Sequence, residues 1–472
     1  MWNAGPSDTA RWLADHRPDL HAAYLAALPA ARAAIHGRLR AAVAREKITT
    51  IDPTRYADPA AAVRAAGHDR FAAEVDNSVA NLALARAAQP PPDGGPPALT
   101  RTPPHAAYWE QLVVDGHPLH PGCRTRLGFT PGDVLAYAPE HHPVVGLVVV
   151  DVPADRWHTT GAGLPPRLHL HPWQAARLLP DHPWLRPVAT RPARPLMSLR
   201  TLAPVDDPGT HLKTAVEAQM TSAVRTVSPA AVANGPAVTA FLAGLAGPDL
   251  IVLREPAAGA VLVDGAPDRR LAVVHRTAPP PDALPVAALS APSPADGRPL
   301  SAEAARLGYG GDPRPLLADL TRLLATGPLR LAALGAGLEA HGQNLLVTLP
   351  GGRPGRLFYR DVGGVRLDPA RLAGHGHEPP PLHGDLRAAT PDEPATTVLA
   401  ALTAVLGELV TTLAHATGTE PATLWAACTT TAPAALTTPE TLPVKATTAM
   451  RLAADPLIPL WTHVPNPLAG HR

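Results

Sequence analysis

A short segment from Asp115 to Arg126 carries an unusual density of groups that can bind anions. It reads Asp-Gly-His-Pro-Leu-His-Pro-Gly-Cys-Arg-Thr-Arg and so contains two histidines, two arginines and two prolines. Proline stiffens the backbone, while imidazole and guanidinium groups hold anionic oxygens. His117, His120 and Cys123 also have a spacing that zinc could use, but no fourth ligand cluster lies at a matching distance. We interpret the segment as an anion-binding loop, with a rigid surface loop as the alternative.

Hydroxyl and cationic side chains alternate in a second cluster. Its segments are Ser198-Leu199-Arg200-Thr201, Lys213-Thr214 and Thr221-Ser222-Ala223-Val224-Arg225-Thr226. Every second residue of a β-strand faces the same side, so Ser198 should point with Arg200. The same rule places Ala223 beside Arg225. Such a surface would suit the oxygens of a carboxylate or a phosphate, and a solvated sheet face is the alternative.

A third cluster combines Glu339-Ala-His-Gly-Gln-Asn344 with Tyr359-Arg-Asp-Val-Gly-Gly364. Asn344 at a strand start and Asp361 on the returning strand could reach one cation, and Mg²⁺ takes few protein oxygens. Kinase-like enzymes use such a pair, but they place a catalytic Asp about five residues before the Asn, where this chain has Glu339. We therefore predict a Mg²⁺ site without a kinase base. A helix end and a polar hairpin without a ligand are the alternative.

The last cluster runs from Leu442 to Leu452 and contains Lys445 and Arg451. These two residues lie six positions apart, which is not one face of a helix, so a strand or a bent segment must join them if both point inward. Only three of the 41 basic residues are lysines, and two of them, Lys213 and Lys445, fall within these clusters. A compact ammonium group is not interchangeable with a guanidinium at a tight site. A basic pair on the surface is the alternative.

The elements that must position these clusters follow from hydrophobic periodicity and from turn residues. We predict helices over 8–46, broken by Pro18 and Pro29, and over Asp69–Ala88. The later helices are predicted at 302–307, 315–325, 329–340 and 396–416. Strands are predicted at 143–152, 250–253 and 271–275, and a hairpin joins 345–349 to 356–360. Because helices and strands do not alternate regularly, we predict an α+β fold, helical at its N-terminal end, rather than a doubly wound sheet.

Composition narrows the classes of function. The 472 residues have a net charge of +1, which argues against a general nucleic-acid binder. The length predicts two to four domains. Two cysteines and no basic-then-apolar start indicate a cytoplasmic protein without a disulfide framework. The most apolar stretch, 395–416, contains Glu408 and His415, so we predict a buried helix rather than a membrane span.

No P-loop nucleotide hydrolase is encoded, because the chain contains no Gly-x-x-x-x-Gly-Lys-Ser/Thr sequence. In their order along the chain, however, the four clusters resemble the IucA/IucC family of NRPS-independent siderophore synthetases. The matching motifs are Gly116–Pro121, Ser198–Thr201, Lys213 with Thr221–Thr226, Glu339–Asn344, Arg360–Gly364 and Lys445–Leu452. Asn77–Asn81 and His171–Gln174 also resemble family segments. The resemblance extends over residues 70–455.

The resemblance implies a hand-like α+β fold with antiparallel sheets in its middle and C-terminal parts. It divides the chain into a helical thumb (1–105), β-rich fingers (106–300) and a palm (301–472). It also implies an ATP-dependent ligase that requires Mg²⁺. A carboxylate of citrate or a related polycarboxylic acid attacks the α-phosphate of ATP, and an amine, hydroxylamine or alcohol then displaces AMP. Many members are homodimers, and neither nucleic acid nor membrane is an expected partner.

The resemblance also assigns roles to residues. Those expected at the reacting groups are His120, Arg200, Lys213, Arg225 and His341. Those expected at the nucleotide or the acid are Ser198, Thr201, Thr221, Ser222, Gln343, Asn344 and Lys445. Asn344 and Asp361 are expected at Mg²⁺.

The chain departs from the family pattern at two positions and in its length. Arg124 stands where a lysine is usual, Gly342 replaces a larger apolar residue, and the chain is short for the family. The alternatives are a related ligase that uses another acid and a non-catalytic homologue that binds nucleotide. A kinase-like phosphotransferase, which would release ADP instead of AMP, is disfavoured by the missing Asp.

Overall fold

The computed structural model describes residues 4–456 and 458–469. Its first part is a layer of helices: α1 (Pro6–His16), α2 (Pro18–Arg45), α3 (Pro59–Ala65) and α4 (Asp69–Ala87). Pro18 begins α2 as predicted, but Pro29 lies inside it and does not break it. The buried side chains of Tyr24, Ile35 and Leu39 pack in one apolar cluster with α4. This burial outweighs the hydrogen bond that a proline removes from a helix interior.

The middle part is rich in strands. Its helices are α5 (Tyr108–Gln111), α6 (Pro131–Tyr137), α7 (Pro172–Leu178) and α8 (Pro229–Leu245). Its strands are β1 (Arg126–Leu127), β2 (Val145–Asp151), β3 (Trp157–Gly161), β4 (Arg167–Leu170), β5 (Arg186–Pro195), β6 (Thr201–Pro204), β7 (Thr210–Lys213), β8 (Val216–Met220), β9 (Ala223–Arg225), β10 (Ile251–Val252), β11 (Ala257–Val263), β12 (Ala266–Thr277) and β13 (Ala283–Pro285).

Eight of these strands form one antiparallel sheet in the order β3-β11-β12-β7-β6-β5-β2-β4. Leu147, Leu202, Leu212 and Val273 belong to the apolar cluster on this sheet, as alternating burial requires. A smaller antiparallel sheet has the order β1-β8-β9. The strands that carry the second cluster of the sequence therefore lie at the centre of the large sheet and in the small sheet beside it.

The last part packs helices around a short hairpin. Its helices are α9 (Leu300–Tyr309), α10 (Pro313–Leu334), α11 (Pro369–Gly374), α12 (Glu393–Thr417), α13 (Pro421–Thr429), α14 (Ala434–Thr437) and α15 (Thr447–Leu452). Its strands are β14 (Ala336–Gly337), β15 (Leu345–Thr348), β16 (Leu357–Tyr359), β17 (Arg366–Leu367), β18 (Thr441–Lys445) and β19 (Trp461–Pro465).

The hairpin β15–β16 pairs Leu345 with Tyr359, as the sequence predicts. The two helices predicted at 315–325 and 329–340 are one helix, α10, which continues through Pro328 and ends at Gly335. Gly335 adopts a φ of 107°, a left-handed conformation that favours glycine. The prediction was wrong because the apolar face of α10 is buried along its length.

By length and composition, α12 is the one helix of the described residues that could cross a membrane. Its buried residues Val398, Leu402, Leu406 and Leu413 belong to the large C-terminal apolar cluster, and α12 packs against α10. This packing is that of a core helix, which agrees with the sequence prediction for 395–416.

The mixture of helices and antiparallel sheets confirms the α+β prediction. The boundaries at residues 105 and 300 stay predictions. One apolar cluster joins Phe71 and Val75 of α4 to Phe129, Trp173 and Met220 of the middle part.

Candidate active site

Lys213 and Asp361 bring the large sheet and the C-terminal hairpin together. Lys213 ends β7, and its ammonium donates to both carboxylate oxygens of Asp361 at 2.9 Å. Arg276, on the neighbouring strand β12, lies 3.3 Å from the same carboxylate. Burial alone would raise the pKa of Asp361, but the charges of Lys213, Arg276 and Arg200 hold it well below its usual range. Asp361 is therefore an ionised carboxylate between cations.

Cations outnumber carboxylates around this pair. The negative charge of Asp361 attracts Arg200 and Arg225 and opposes the lowering of their pKa values by burial, and the charge of Glu339 acts on Arg225 in the same direction. Burial, and then the charge of Arg225, lowers the pKa of Arg200 to about 10, so its guanidinium stays charged at neutral pH. Burial also lowers the pKa of Arg225, which makes no ion pair within the described residues. The excess of positive charge suits a polyanionic ligand.

Ser198 and Thr201 form a turn rather than the predicted strand. The Ser198 hydroxyl donates to Thr201 Oγ1 at 2.9 Å and accepts from the Thr201 amide at 3.2 Å, and Leu199 between them adopts a φ of 64°. The prediction that Ser198 and Arg200 face the same side of a strand was wrong, because β6 begins at Thr201. Arg200 instead donates to the carbonyl of Thr226 at 2.6 Å, which ties the turn to the end of β9.

The small sheet supplies Thr221, Ser222 and Arg225. Thr221 and Ser222 form the turn between β8 and β9, with Thr221 at a φ of 57°. The carbonyl of Ser222 accepts from Arg451 at 2.9 Å, and the amide of Thr221 donates to the carbonyl of Thr125 at 3.1 Å. This turn therefore joins the histidine-rich loop to the C-terminal helix α15.

Two of the predicted histidines are held in one tautomer by their own loops. Nδ1 of His120 accepts from the amide of Gly122 at 2.7 Å, and Nδ1 of His341 accepts from the amide of Gln343 at 3.2 Å. The neutral ring must then carry its proton on Nε2. His120 Nε2 is buried and has no hydrogen-bond partner among the described residues. It is thus a donor available to an anionic oxygen.

Burial keeps these rings neutral. It lowers the pKa of His120 to about 3, with further lowering by the charges of Arg451 and Arg38. It also lowers the pKa of His341, against the opposing charge of Glu339. Near pH 7 both side chains therefore act as neutral N–H donors, not as general bases with a pKa near the working pH.

Glu339 lies opposite Lys445, a pairing that the sequence did not indicate. Lys445 donates to Glu339 Oε1 at 3.1 Å, and His341 Nε2 lies 3.9 Å from the other oxygen. A Cβ at Gly364 would overlap the Glu339 carboxylate, so a side chain there would displace that carboxylate from Lys445. Lys445 ends β18 and Arg451 lies on α15, which confirms the bent segment predicted for them. They bind different carboxylates, because Arg451 pairs with Glu74.

Asn344 and Asp361 sit at matching ends of the hairpin. The Asn344 amide nitrogen donates to the carbonyl of Glu339 at 3.2 Å, which leaves its side-chain oxygen for another partner. An ionised carboxylate and an amide oxygen suit Mg²⁺, which takes its other ligands from phosphates and water. The described residues contain no group of three or more His, Cys, Asp or Glu that could hold a metal without such help. The donor set therefore fits a metal that arrives with a phosphate ligand.

Two residues of the histidine-rich loop, Arg124 and Cys123, make structural contacts within the fold. Arg124 is buried, lies 3.3 Å from Glu140 and donates to the carbonyls of Val113 and Val114, so it does not replace a phosphate-binding lysine. Cys123 Sγ accepts a hydrogen bond from Arg38 at 2.7 Å. The described part of the chain contains no group of three or more His, Cys, Asp or Glu side chains that could bind zinc at this loop.

Histidines buried in a neutral state should make the fold sensitive to acid. Burial lowers the pKa values of His120, His171 and His211 from 6.5 to about 3. The unfolded chain takes up protons that the folded chain cannot bind, so stability is lost as the pH falls below about 6.5, by about 1.4 kcal/mol per pH unit for each histidine. Urea unfolding between pH 7.5 and 5 measures this slope. In His171→Asn, whose amide can still cap α7, the slope should be one histidine smaller, and an unchanged slope would contradict the assignment.

Parts of this chain match two family models and two curated proteins. Residues 105–167 and 167–291 match the family model described as "IucA / IucC family", and residues 317–469 match the one described as "Ferric iron reductase FhuF-like transporter". Staphyloferrin A synthase of Staphylococcus aureus is 28% identical over 310 residues, which cover 55% of this chain and 53% of that protein. A second S. aureus synthase, named for a 2-hydroxypropanoate product, is 24% identical over 346 residues, which cover 60% and 55%. The chain thus spans about half of the length of these relatives.

Solved structures share the fold over most of the chain. The petrobactin biosynthesis protein AsbB of Bacillus anthracis superposes with a TM-score of 0.71 at 21% identity, covering 85% of this chain and 79% of that one. ATP-bound aerobactin synthetase IucA of Klebsiella pneumoniae superposes with a TM-score of 0.67 at 18% identity, covering 88% and 87%. At these identities the likeness establishes the fold.

Proposed function

From the match of residues 105–291 to the IucA/IucC family model, we propose that the protein belongs to that family and is an ATP-dependent ligase of siderophore biosynthesis. It adenylates a carboxylate of citrate or a related polycarboxylic acid and condenses it with an amine, hydroxylamine or alcohol. The observation that carries the proposal is the set of cations around Asp361. Arg200, Lys213 and Arg225 converge there from separate strands and turns.

Adenylation brings two anions together, and this chain's cations screen their repulsion. A carboxylate oxygen of the acid bonds to the α-phosphorus of ATP, the bond to the bridging oxygen breaks, and pyrophosphate leaves. Arg200, Lys213 and Arg225 stabilise the charge that develops on the phosphate oxygens, because they are cations already desolvated by burial. Catalysis then comes from positioning and charge stabilisation, without a protein nucleophile.

The neutral donors orient the oxygens. The Nε2–H groups of His120 and His341 donate to phosphate or carboxylate oxygens. Two turns present backbone and hydroxyl groups to the phosphates and the acid: the turn of Ser198 and Thr201 and the turn of Thr221 and Ser222. Gln343 and Asn344 hold the nucleotide, and Lys445 reaches the adenylate or the incoming acid from β18. When bound, Mg²⁺ supplies charge neutralisation on the phosphates, and Asp361 with Asn344 would hold it.

The second half-reaction uses the same pocket. The nitrogen or oxygen of the nucleophile bonds to the acyl carbon and loses a proton, the bond from that carbon to the AMP oxygen breaks, and AMP leaves. We further propose that the protein is a cytoplasmic homodimer. A related ligase for another acid remains the second candidate, because the cations recognise carboxylates in general and pocket shape selects among them.

Acid-dependent exchange of pyrophosphate into ATP tests the proposal. Purified protein is assayed with citrate, 2-oxoglutarate, succinate and mono-amidated acids, with each acid omitted as the control. Exchange with one acid, together with AMP as the product, supports the ligase and identifies its substrate. Nucleotide binding without exchange for any acid would favour the non-catalytic homologue, and ADP as the product would favour a phosphotransferase.

Arg225→Met should impair the reaction without harming the fold. Arg225 is half-buried and makes no ion pair among the described residues, so its removal leaves no stranded carboxylate. We expect the exchange rate at subsaturating acid to fall about 100-fold, the scale on which a preorganised donor contributes. Steady-state exchange and a thermal melt measure the two effects. Arg269→Met, which removes an exposed guanidinium that contacts Thr226, is the matched control and should retain full exchange. Equal exchange in both variants would remove Arg225 from the site.

A further inference from the structure

A buried ion pair lies directly behind the hairpin of the candidate site. Glu110 on α5 and Arg360, the residue after β16, are each 4% exposed in their side chains. Their contact is bidentate, with Arg360 Nη1 at 2.6 Å from Glu110 Oε1 and Nη2 at 2.9 Å from Oε2. Two parallel N–H···O bonds fix the planes of both groups as well as their distance.

This pair binds three segments of the site at once. The Arg360 guanidinium donates to the carbonyl of Gln343 at 3.2 and 3.0 Å, and its backbone amide donates to the carbonyl of Asn344 at 3.0 Å. On the other side, Glu110 Oε2 accepts from the amide of Met197 at 3.0 Å, directly before the Ser198 turn. Segments that are far apart in sequence are therefore set relative to one another by one ion pair.

The backbone conformation of Asp361 depends on the same Glu110–Arg360 ion pair. Asp361 follows Arg360 and adopts a φ of 72°, a conformation that a non-glycine residue keeps only when its surroundings impose it. The Tyr359 hydroxyl donates to the Asp361 carbonyl at 2.8 Å from the preceding side. Because Glu110 fixes the position of Arg360, the peptide bond between Arg360 and Asp361 is held in one orientation. The Asp361 carboxylate therefore keeps its contact with Lys213.

We propose that Glu110 is a positioning residue for the adenylation site: through Arg360 it holds Gln343, Asn344 and Asp361 in the geometry that binds the nucleotide and its metal ion. The proposal rests on the function proposed above for the same site. Glu110 itself faces Arg360 and the Met197 amide and does not reach the reacting atoms. Its role is therefore distinct from that of the cations that contact substrate.

The central experiment replaces the whole pair, because a single substitution would strand a buried charge and disturb folding. In Glu110→Met/Arg360→Met both charges are gone and the volume is similar, and such apolar replacements of buried pairs leave folding intact in known cases. The control is Arg366→Met/Glu393→Met, which removes a partly buried pair between β17 and α12. Both double variants are checked by urea unfolding before any assay.

The expected result is a folded Glu110→Met/Arg360→Met protein with exchange at least about 10-fold lower and with a raised Mg²⁺ concentration for half-maximal rate, as is usual when a supporting contact of a metal site is lost. Binding of a fluorescent ATP analogue should weaken in parallel. Amide hydrogen exchange of residues 341–345 and 197–201 should be faster than in the unmodified protein. The control variant should match the unmodified protein in all of these measurements.

Unchanged nucleotide binding and unchanged amide exchange in a folded Glu110→Met/Arg360→Met protein would overturn the positioning role. A double variant that does not fold would move the test to Glu110→Asp, which keeps the charge and shortens its reach. That variant should fold and raise the Mg²⁺ requirement, and an unaltered requirement would count against the proposal. If the unmodified protein binds the analogue but shows no exchange, the proposed ligase fails, while the binding and amide-exchange measurements still decide on Glu110.

Discussion

Asp361→Asn is expected to lower acid-dependent pyrophosphate exchange by about 100- to 1,000-fold, the range seen when one preorganised electrostatic group is removed from an active site. The substitution is nearly isosteric, but it removes the negative charge that Lys213 and Arg276 share. The Lys213 ammonium then loses the anchor that holds it at 2.9 Å, and the proposed Mg²⁺ site loses its charged ligand.

Initial exchange rates at saturating ATP measure the effect, and a nucleotide-binding titration separates binding from chemistry. Asp268→Asn is the matched control, because it also removes a carboxylate paired with an arginine, Arg270, near the start of β12. Asp361→Glu keeps the charge but displaces it from its strained position, so it should also be strongly impaired. Exchange within a few-fold of the unmodified protein in Asp361→Asn would show that the carboxylate is not part of the reaction.

Arg451→Met is expected to reduce the free energy of unfolding by about 3–5 kcal/mol, the usual effect of leaving one partner of a buried ion pair alone. Glu74 on α4 is completely buried, and Arg451 on α15 donates to both of its oxygens, one of them at 2.9 Å. Arg451 also donates to the carbonyl of Ser222. The arginine therefore joins the C-terminal helix to the N-terminal helical layer across the site.

Urea unfolding at pH 7.5 measures this loss. Arg70→Met is a control on the same carboxylate, because Arg70 lies 3.9 Å from Glu74 but is 77% exposed, so its removal should cost less than about 1 kcal/mol. In Glu74→Leu/Arg451→Met no charge is stranded, and most of the stability should return. Equal effects of Arg451→Met and Arg70→Met would contradict the burial argument.

Much of the site could be predicted from sequence because its residues come in short motifs. Ser198–Thr201, Glu339–Asn344 and Arg360–Gly364 each combine several polar groups that a plain core or surface does not require. Their order along the chain carries the resemblance to the IucA/IucC family, while the irregular alternation of helices and strands indicated the α+β fold. The apolar pattern of 395–416 likewise indicated a buried helix, because Glu408 and His415 interrupt it.

The site residues that the sequence did not reveal lie outside the short polar motifs. Glu110, Glu255 and Arg276 were not singled out, because an isolated charge in a sequence is usually a surface residue. Only the folded chain shows that Arg276 pairs with Glu255 at 2.7 Å and also reaches Asp361. Arg124 is the converse case: its place beside the His-Pro motif suggested phosphate, but its buried guanidinium binds Glu140 and two carbonyls.

Local patterns alone indicated which segments are candidates for chemistry and, by their turn residues and periodicity, the long helices α2, α4 and α12 and the hairpin β15–β16. Tertiary structure decided the rest, because the direction of a side chain and the partner of a charge depend on segments distant in sequence. The sequence predicted a strand at Ser198 and Arg200, where the structure has a turn closed by Thr201. It also predicted a break at Pro29 and separate helices at 315–325 and 329–340, but the packing of their apolar faces keeps α2 and α10 continuous. The same long-range contacts set the φ of Asp361 and the pKa of His120, neither of which a motif encodes by itself.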